Sequence, residues 1–147
     1  MMGSGSDRGV MEKAAEMLTR FGIASETRVL SAHKTPDDAI AFAENAAGDG
    51  FGVIIAGAGK AAHLAGVMAA KSLLPVIGVP LNASLNGLDS LLATVQMPTG
   101  IPVATVAIDG AVNAALLAVA ILALGNEDLT RQLAAYRTQL AADTLAG

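Results

Sequence analysis

Residues 53–66 read Val-Ile-Ile-Ala-Gly-Ala-Gly-Lys-Ala-Ala-His-Leu-Ala-Gly, a strand-like run followed by small residues and a helical pattern. Its β-branched opening, residues 53–55, is typical of a strand that is buried on both faces of a parallel sheet. The small residues 57–59 predict a sharp turn. A helix is then expected over 61–72, with His63 in its first turn. In open α/β sheets ligands bind where strands end in this way, so the stretch marks a candidate binding site.

The glycine pattern alone does not identify a ligand. The turn at residues 57–59 is not followed by a glycine three residues later, as the dinucleotide-binding fingerprint requires, and the chain has no phosphate-loop Gly-Lys-Ser/Thr. On spacing alone, a structural turn without any chemistry is an equal alternative.

Composition narrows the class of protein. The 147 residues fit one domain. Apolar residues make up 53% and charged residues only 15%, against a usual charged fraction of about 25%, so we expect part of the surface to be buried in a homo-oligomer. The net charge of −4 argues against a basic nucleic-acid-binding face. The absence of cysteine excludes disulfides, thiolate metal sites and a cysteine nucleophile.

No targeting or membrane-spanning segment is recognisable. The chain shows no signal peptide. Its most apolar run, residues 111–124, is shorter than the roughly 20 residues that a bilayer crossing needs. We therefore expect a cytoplasmic protein without a membrane partner.

Strand and helix patterns alternate along the rest of the chain. Helices are expected over 7–21, 36–47, 87–95, 111–124 and 126–144, and further strands over 27–30, 75–80 and 103–107. This alternation predicts an α/β fold with a doubly wound parallel sheet. With a strand restored before Gly3, the simplest arrangement is a three-layer α/β/α sandwich with the flavodoxin-like order 2-1-3-4-5.

The first strand of that sheet is predicted to be largely missing. Only Met1 and Met2 precede the loop that begins at Gly3. Loss of a central strand would expose two neighbouring strand edges. We therefore expect either that the native gene product begins upstream or that this chain is poorly stable.

The predicted strand order brings polar loops together. Ser4 and Ser6 stand at a helix start, which is a site for anions, and Asp7 suits sugar hydroxyls. Alternatively, Ser6 or Asp7 only caps the helix. In the next loop, His33 is a candidate proton carrier and Lys34 a candidate phosphate ligand. On position alone, a structural hydrogen bond is the more frequent role for such a histidine.

Five motifs, in this order, resemble the PurE family of N5-carboxyaminoimidazole ribonucleotide mutases. They are Gly3–Asp7, Ser31–Pro36, Gly57–Gly66, Gly78–Pro80 and Gly87–Thr105. The resemblance covers nearly the whole chain. It implies one three-layer domain over residues 1–147 that assembles as an octamer. It also implies an isomerase of purine biosynthesis that uses no metal and no organic cofactor. The apolar stripe of the C-terminal helix 126–144 packs either on its own domain or in the oligomer, and the low surface charge favours the oligomer.

The resemblance also implies a mechanism. The substrate loses carbon dioxide from N5, carbon C4 of the ring captures it in a shielded pocket, and His33 removes the C4 proton as general acid/base. The implied substrate-binding residues are Ser4, Ser6, Asp7, Ser31, Ala32, Lys34, Gly57, Ala58, Gly59, His63 and Leu64. Among them, Lys34 replaces the arginine that is common in the family, so its contact with phosphate lacks the bidentate fork.

Two further departures and several alternatives stay open. Lys60 stands where the family usually has glycine, and Ala65 where it usually has proline. We expect Lys60 to point to solvent. The alternative activities are a carboxylase that uses free carbon dioxide, a non-catalytic nucleotide-binding module on the same scaffold, and a carboxylase of nicotinic-acid-type nucleotides. Transient hand-over of the labile substrate by the upstream ATP-dependent carboxylating enzyme also stays open.

Overall fold

The computed structural model describes residues 1–147 as a parallel sheet with helices on both faces. The strands are β1 (Ile54–Gly59), β2 (Val76–Leu81) and β3 (Ala104–Thr105), in the order β1-β2-β3. The helices are α1 (Arg8–Arg20), α2 (Pro36–Asn45), α3 (Leu64–Lys71), α4 (Leu88–Val95), α5 (Ala111–Ala123) and α6 (Glu127–Ala146). Short 3-10 turns at Gly5–Asp7 and Leu85–Gly87 lead into α1 and α4.

Two apolar clusters cover opposite faces of the sheet. Ile77, Val79 and Leu81 of β2 pack with residues of α1, α5 and α6. Ile54 and Ala56 of β1 pack with residues of α2 and α3 on the other face. Because successive strand residues point to opposite faces, one buried sheet serves both clusters. The predicted three-layer α/β/α sandwich is therefore confirmed.

Residues 1–3 complete the sheet as a rudimentary first strand. Met2 pairs in parallel with Val29 on one side and with Gly57 on the other. The Met2 amide donates to the Arg28 carbonyl at 3.0 Å, and the Gly3 amide donates to the Gly57 carbonyl at 3.1 Å. The observed order is thus Val29, Met2, β1, β2, β3. This confirms the order 2-1-3-4-5, with a first strand reduced to the single residue Met2.

The shortness of this strand has two local consequences. The predicted second strand, 27–30, is also reduced to a single bridge, because its only neighbour in the sheet is the one-residue strand at Met2. The amino group of Met1 is buried and donates to the Ile55 carbonyl at 2.7 Å. Burial lowers the pKa of this amino group from 8.0 to about 6, since the charged form is poorly solvated.

An apolar cavity of about 250 Å³ adjoins Met1. Segment 23–27 lines it on one side and segment 50–55 on the other, and Met11, Leu18 and Leu122 are among its other lining residues. The cavity therefore lies beside the segments that lead into Val29 and Gly57, the two bridge partners of Met2.

Several boundaries differ from the sequence predictions. Helix α3 begins at Leu64 and not at residue 61, because Lys60 to Ala62 form a tight turn in which the Ala62 amide donates to the Lys60 carbonyl. Strand β3 has two residues in place of the predicted 103–107. The last helix begins as predicted, with the Asn126 side chain accepting a hydrogen bond from the Leu129 amide at 3.1 Å. None of the helices combines the length and apolar character that crossing a membrane would require.

Candidate active site

A cleft of about 380 Å³ lies at the carboxyl ends of the strands. Most of its lining comes from three loops that follow the first three strand segments of the sheet, and Ala83 comes from the loop after β2. The lining residues are Gly3, Ser4, Ser6, Asp7, Ser31, Ala32, His33, Lys34, Ala58, Gly59, Lys60, Ala61, Leu64 and Ala83. Ten of the twelve predicted site residues are among them. The structure therefore brings most of the predicted residues to one place.

The first loop is a compact hydrogen-bonded turn. The Asp7 carboxylate accepts hydrogen bonds from the Ser4 amide at 3.1 Å and from the Ser6 hydroxyl at 3.3 Å. The Ser4 side chain in turn accepts from the Ser6 amide at 3.3 Å. These reciprocal bonds form a capping box, which orients both hydroxyls and the carboxylate at the entrance to α1.

The second loop is held by Ser31 and Thr35. The Ser31 hydroxyl accepts from the amides of His33 at 3.3 Å and Lys34 at 3.1 Å. The Ser31 amide donates to the Thr35 hydroxyl at 3.0 Å. Thr35 directly precedes α2, but its side chain makes no capping hydrogen bond to that helix. Its bonds to Ser31 show that it also fixes the loop that carries His33.

The two histidines of the chain meet at the edge of this cleft. The Nε2 atom of His33 lies 2.8 Å from the Nδ1 atom of His63, so one nitrogen donates a hydrogen bond and the other accepts it. Their rings are nearly perpendicular, at 86°. His63 does not line the cleft itself and instead contacts the ring of His33. No local sequence pattern predicts this contact, because the residues are 30 positions apart.

Packing explains two of the small residues at the end of β1. A Cβ atom at Gly57 would overlap the sulfur of Met11, and one at Gly59 would come within 2.7 Å of the Ala83 Cβ. The Gly57 amide donates to the Met1 carbonyl at 3.0 Å. That amide is therefore not free for a substrate carboxylate, in contrast to the role that the resemblance implies for it.

Lys60 lines the cleft with an unusual backbone conformation. Its φ angle is +55°, in the left-handed region that disfavours residues with a Cβ atom. Its side chain is exposed and takes part in none of the chain's ion pairs. The exposed side chain agrees with the expectation that Lys60 points to solvent, and the residue also borders the cleft.

The family model described as AIR carboxylase matches residues 1–143. The chain belongs to the AIR carboxylase family. The resemblance to PurE is confirmed, because a crystal structure of PurE from Treponema denticola matches 99% of this chain and 91% of its own, with a TM-score of 0.84 and 29% identity.

Two relatives in the AIR carboxylase family carry different names. The N5-carboxyaminoimidazole ribonucleotide mutase of Pyrococcus horikoshii is 55% identical over 137 residues, which are 92% of this chain and 77% of that protein. The chloroplastic phosphoribosylaminoimidazole carboxylase of Vigna aconitifolia is 53% identical over 138 residues, or 93% of this chain. The chain spans only a quarter of that second protein's length.

Proposed function

We propose that this chain is an N5-carboxyaminoimidazole ribonucleotide mutase of de novo purine biosynthesis. Mutases from several organisms are more than half identical to it over most of its length, which supports this activity. The observation that carries the proposal is the convergence of the Ser4–Asp7, Ser31–Lys34 and Ala58–Lys60 segments on one cleft. Such a cleft offers hydroxyls for a ribose, a cation for a phosphate, and an imidazole for proton transfer.

The reaction is an isomerisation with no net change in protons. Breakage of the N5–carbon bond releases carbon dioxide and leaves the electron pair on N5, which takes a proton. Carbon C4 then attacks the carbon dioxide, and loss of the C4 proton restores the aromatic ring. We assign both proton transfers to His33, acting first as acid and then as base.

The contact with His63 gives His33 a defined orientation. Because Nε2 of His33 is hydrogen-bonded to His63, the ring cannot rotate without breaking that bond. We propose that His63 is a positioning residue for His33. The Ser31 hydroxyl contributes to the same end by holding the backbone of the loop.

The cleft residues have separate proposed roles. We assign Lys34 to the phosphate, and Ser4, Ser6 and Asp7 to the ribose phosphate portion. Ser31 and Ala32 form the rim near the ring, and Ala58, Gly59 and Leu64 enclose the carboxylate. The buried Leu64 side chain, 2% exposed, supports a water-poor wall for trapped carbon dioxide. Gly57 supports this wall indirectly by allowing Met11 to pack beneath β1.

Carboxylation of aminoimidazole ribonucleotide with free carbon dioxide is the second candidate function. The name of the chloroplastic relative, which is 53% identical, favours it. Both reactions need the same proton transfer at C4, so the cleft alone does not separate them. A non-catalytic nucleotide-binding module is the alternative from another class.

Turnover without ATP separates the three functions. The native chain is supplied either with N5-carboxyaminoimidazole ribonucleotide or with aminoimidazole ribonucleotide plus bicarbonate, and formation of the 4-carboxy product is followed. We expect rapid conversion of the first substrate only. Conversion of the second substrate alone would identify a carboxylase, and nucleotide binding without turnover of either would support the binding module.

Assembly is the remaining part of the proposal. We propose that residues 1–147 form one domain of a homo-octamer, with helix 126–144 packing in the oligomer. Leu88, Leu92 and Val95 lie on one side of α4 and are 54%, 44% and 47% exposed, and such an apolar stripe favours burial against another chain. Light scattering should give eight chains, and Leu92→Glu should yield smaller species. A monomeric native chain would contradict this. The cytoplasmic location remains a prediction.

A further inference from the structure

Two lysine side chains line the cleft, and neither has an acidic partner. Lys34 and Lys60 are absent from all five ion pairs of the chain. The one carboxylate of the cleft, that of Asp7, accepts bonds from Ser4 and Ser6 instead. In a chain with a net charge of −4, two unpaired cations in one cleft favour an anionic ligand.

The sheet order fixes how far apart the two lysines are anchored. Lys34 follows the strand segment at Val29, Lys60 follows β1, and Met2 lies between these two segments. Neighbouring strands are about 4.8 Å apart, so the two loops begin roughly 10 Å apart. The hydroxyls of the Ser4–Asp7 turn belong to the loop between them. This layout suits a ligand with an anionic group at each end and hydroxyls in the middle.

The backbone at Lys60 adds an independent observation. A residue with a Cβ atom at φ +55° is in a strained conformation, and strain of this kind is concentrated at functional sites. The turn that imposes it ends the strand directly at the cleft, so it brings the base of the Lys60 side chain to the cleft wall.

We propose that Lys60 is a specificity-determining residue that binds the carboxylate of the substrate, while Lys34 binds its phosphate. The inference rests on the proposed function, because it assigns the two anionic groups of a carboxylated ribonucleotide to the two cations. An ammonium donating to a carboxylate makes a charge-assisted hydrogen bond. Lys60 thus distinguishes carboxylated from uncarboxylated nucleotides.

Calorimetric titration tests this with two nucleotides that differ only in the carboxylate. They are 4-carboxy-5-aminoimidazole ribonucleotide and aminoimidazole ribonucleotide. Lys60→Met removes the charge and keeps a residue with a Cβ atom at φ +55°, so backbone strain is matched. We expect it to weaken binding of the carboxylated nucleotide about tenfold and to change binding of the other less than twofold. Lys60→Arg should retain most of the discrimination.

The control variant is Lys34→Met, which should weaken the binding of both nucleotides by the same factor. Unchanged binding in Lys60→Met, or equal weakening of both nucleotides, would overturn the role of Lys60. Failure of the proposed function is a separate result, in which the native chain binds both nucleotides but does not convert N5-carboxyaminoimidazole ribonucleotide. In that case the ratio of the two affinities still decides the role of Lys60. A native chain that binds neither nucleotide would overturn both.

Discussion

The buried amino group of Met1 predicts how the stability of the 147-residue chain depends on pH. The pKa of this group is 8.0 when it is exposed and about 6 in the folded chain, because burial disfavours the charged form. Well above pH 8 the amino group is neutral in both the folded and the unfolded state, so it does not change the free energy of unfolding. As the pH falls from 8 to 6, the unfolded chain binds the proton first and the folded state loses stability. One pKa unit corresponds to about 1.36 kcal/mol, so the full loss is about 2.7 kcal/mol.

Urea unfolding at pH 9 and pH 5.5, followed by circular dichroism, measures this loss. The matched control is the chain with an acetylated Met1, which has no charge but keeps an N–H for the Ile55 carbonyl. The adjoining cavity of about 250 Å³ has room for the acetyl group. Both chains contain the same histidines and carboxylates, so their difference isolates the amino group. When the pH falls from 9 to 5.5, we expect the free energy of unfolding of the unacetylated chain to decrease by about 2–2.7 kcal/mol more than that of the acetylated chain. The same pH dependence of stability in both chains would contradict the burial of the Met1 amino group.

Three further predictions concern the cleft. Gly57→Ala should lower the free energy of unfolding by about 1–3 kcal/mol, because the new Cβ overlaps the sulfur of Met11. The same substitution should lower it by less in a chain that already carries Met11→Ala. Lys60→Gly should raise the free energy of unfolding by roughly 0.5–1 kcal/mol in urea titrations, since relief of strain exceeds the entropy of glycine, whereas Lys60→Met should not. Ser31→Ala should reduce kcat/KM for the mutase reaction about fivefold, with little change in the urea midpoint, because the exposed loop loses two bonds of 3.1–3.3 Å. An equal effect of Ser31→Ala on stability would indicate a structural role only.

Periodicity and turn residues predict the elements of this fold well. The predicted ranges 7–21 and 126–144 lie close to the observed bounds of α1 and α6. The strand order followed from alternation and short connections. The lengths of β3 and of the second strand were overestimated, because a strand's length depends on its neighbours and not only on its own sequence. Pairing of Met2 on both sides depends on the same tertiary context.

The site is less predictable than the fold, and the reason is geometric. His33 and Lys34 could be selected as candidates from their loop position and chemistry. The contact between His33 and His63 depends on the relative positions of two loops in the folded chain, which no local sequence pattern predicts. The positive φ of Lys60 was also not predictable, because a glycine at this position would have indicated a left-handed conformation and a lysine does not. Thr35 was missed because its hydroxyl serves the preceding loop and not the helix that it introduces.

The most direct test of the account compares His33→Asn with the native chain in the ATP-free conversion of N5-carboxyaminoimidazole ribonucleotide. Asparagine is of similar size and can hydrogen-bond, but it cannot carry the proton at neutral pH. Binding of the 4-carboxy product, measured in parallel, establishes that the cleft of the variant is intact. We predict a loss of at least about 100-fold in kcat, the effect expected of a general acid/base, with product affinity changed only a few fold. A variant that converts the substrate at the native rate would contradict the assignment of His33 and of the cleft as the active site.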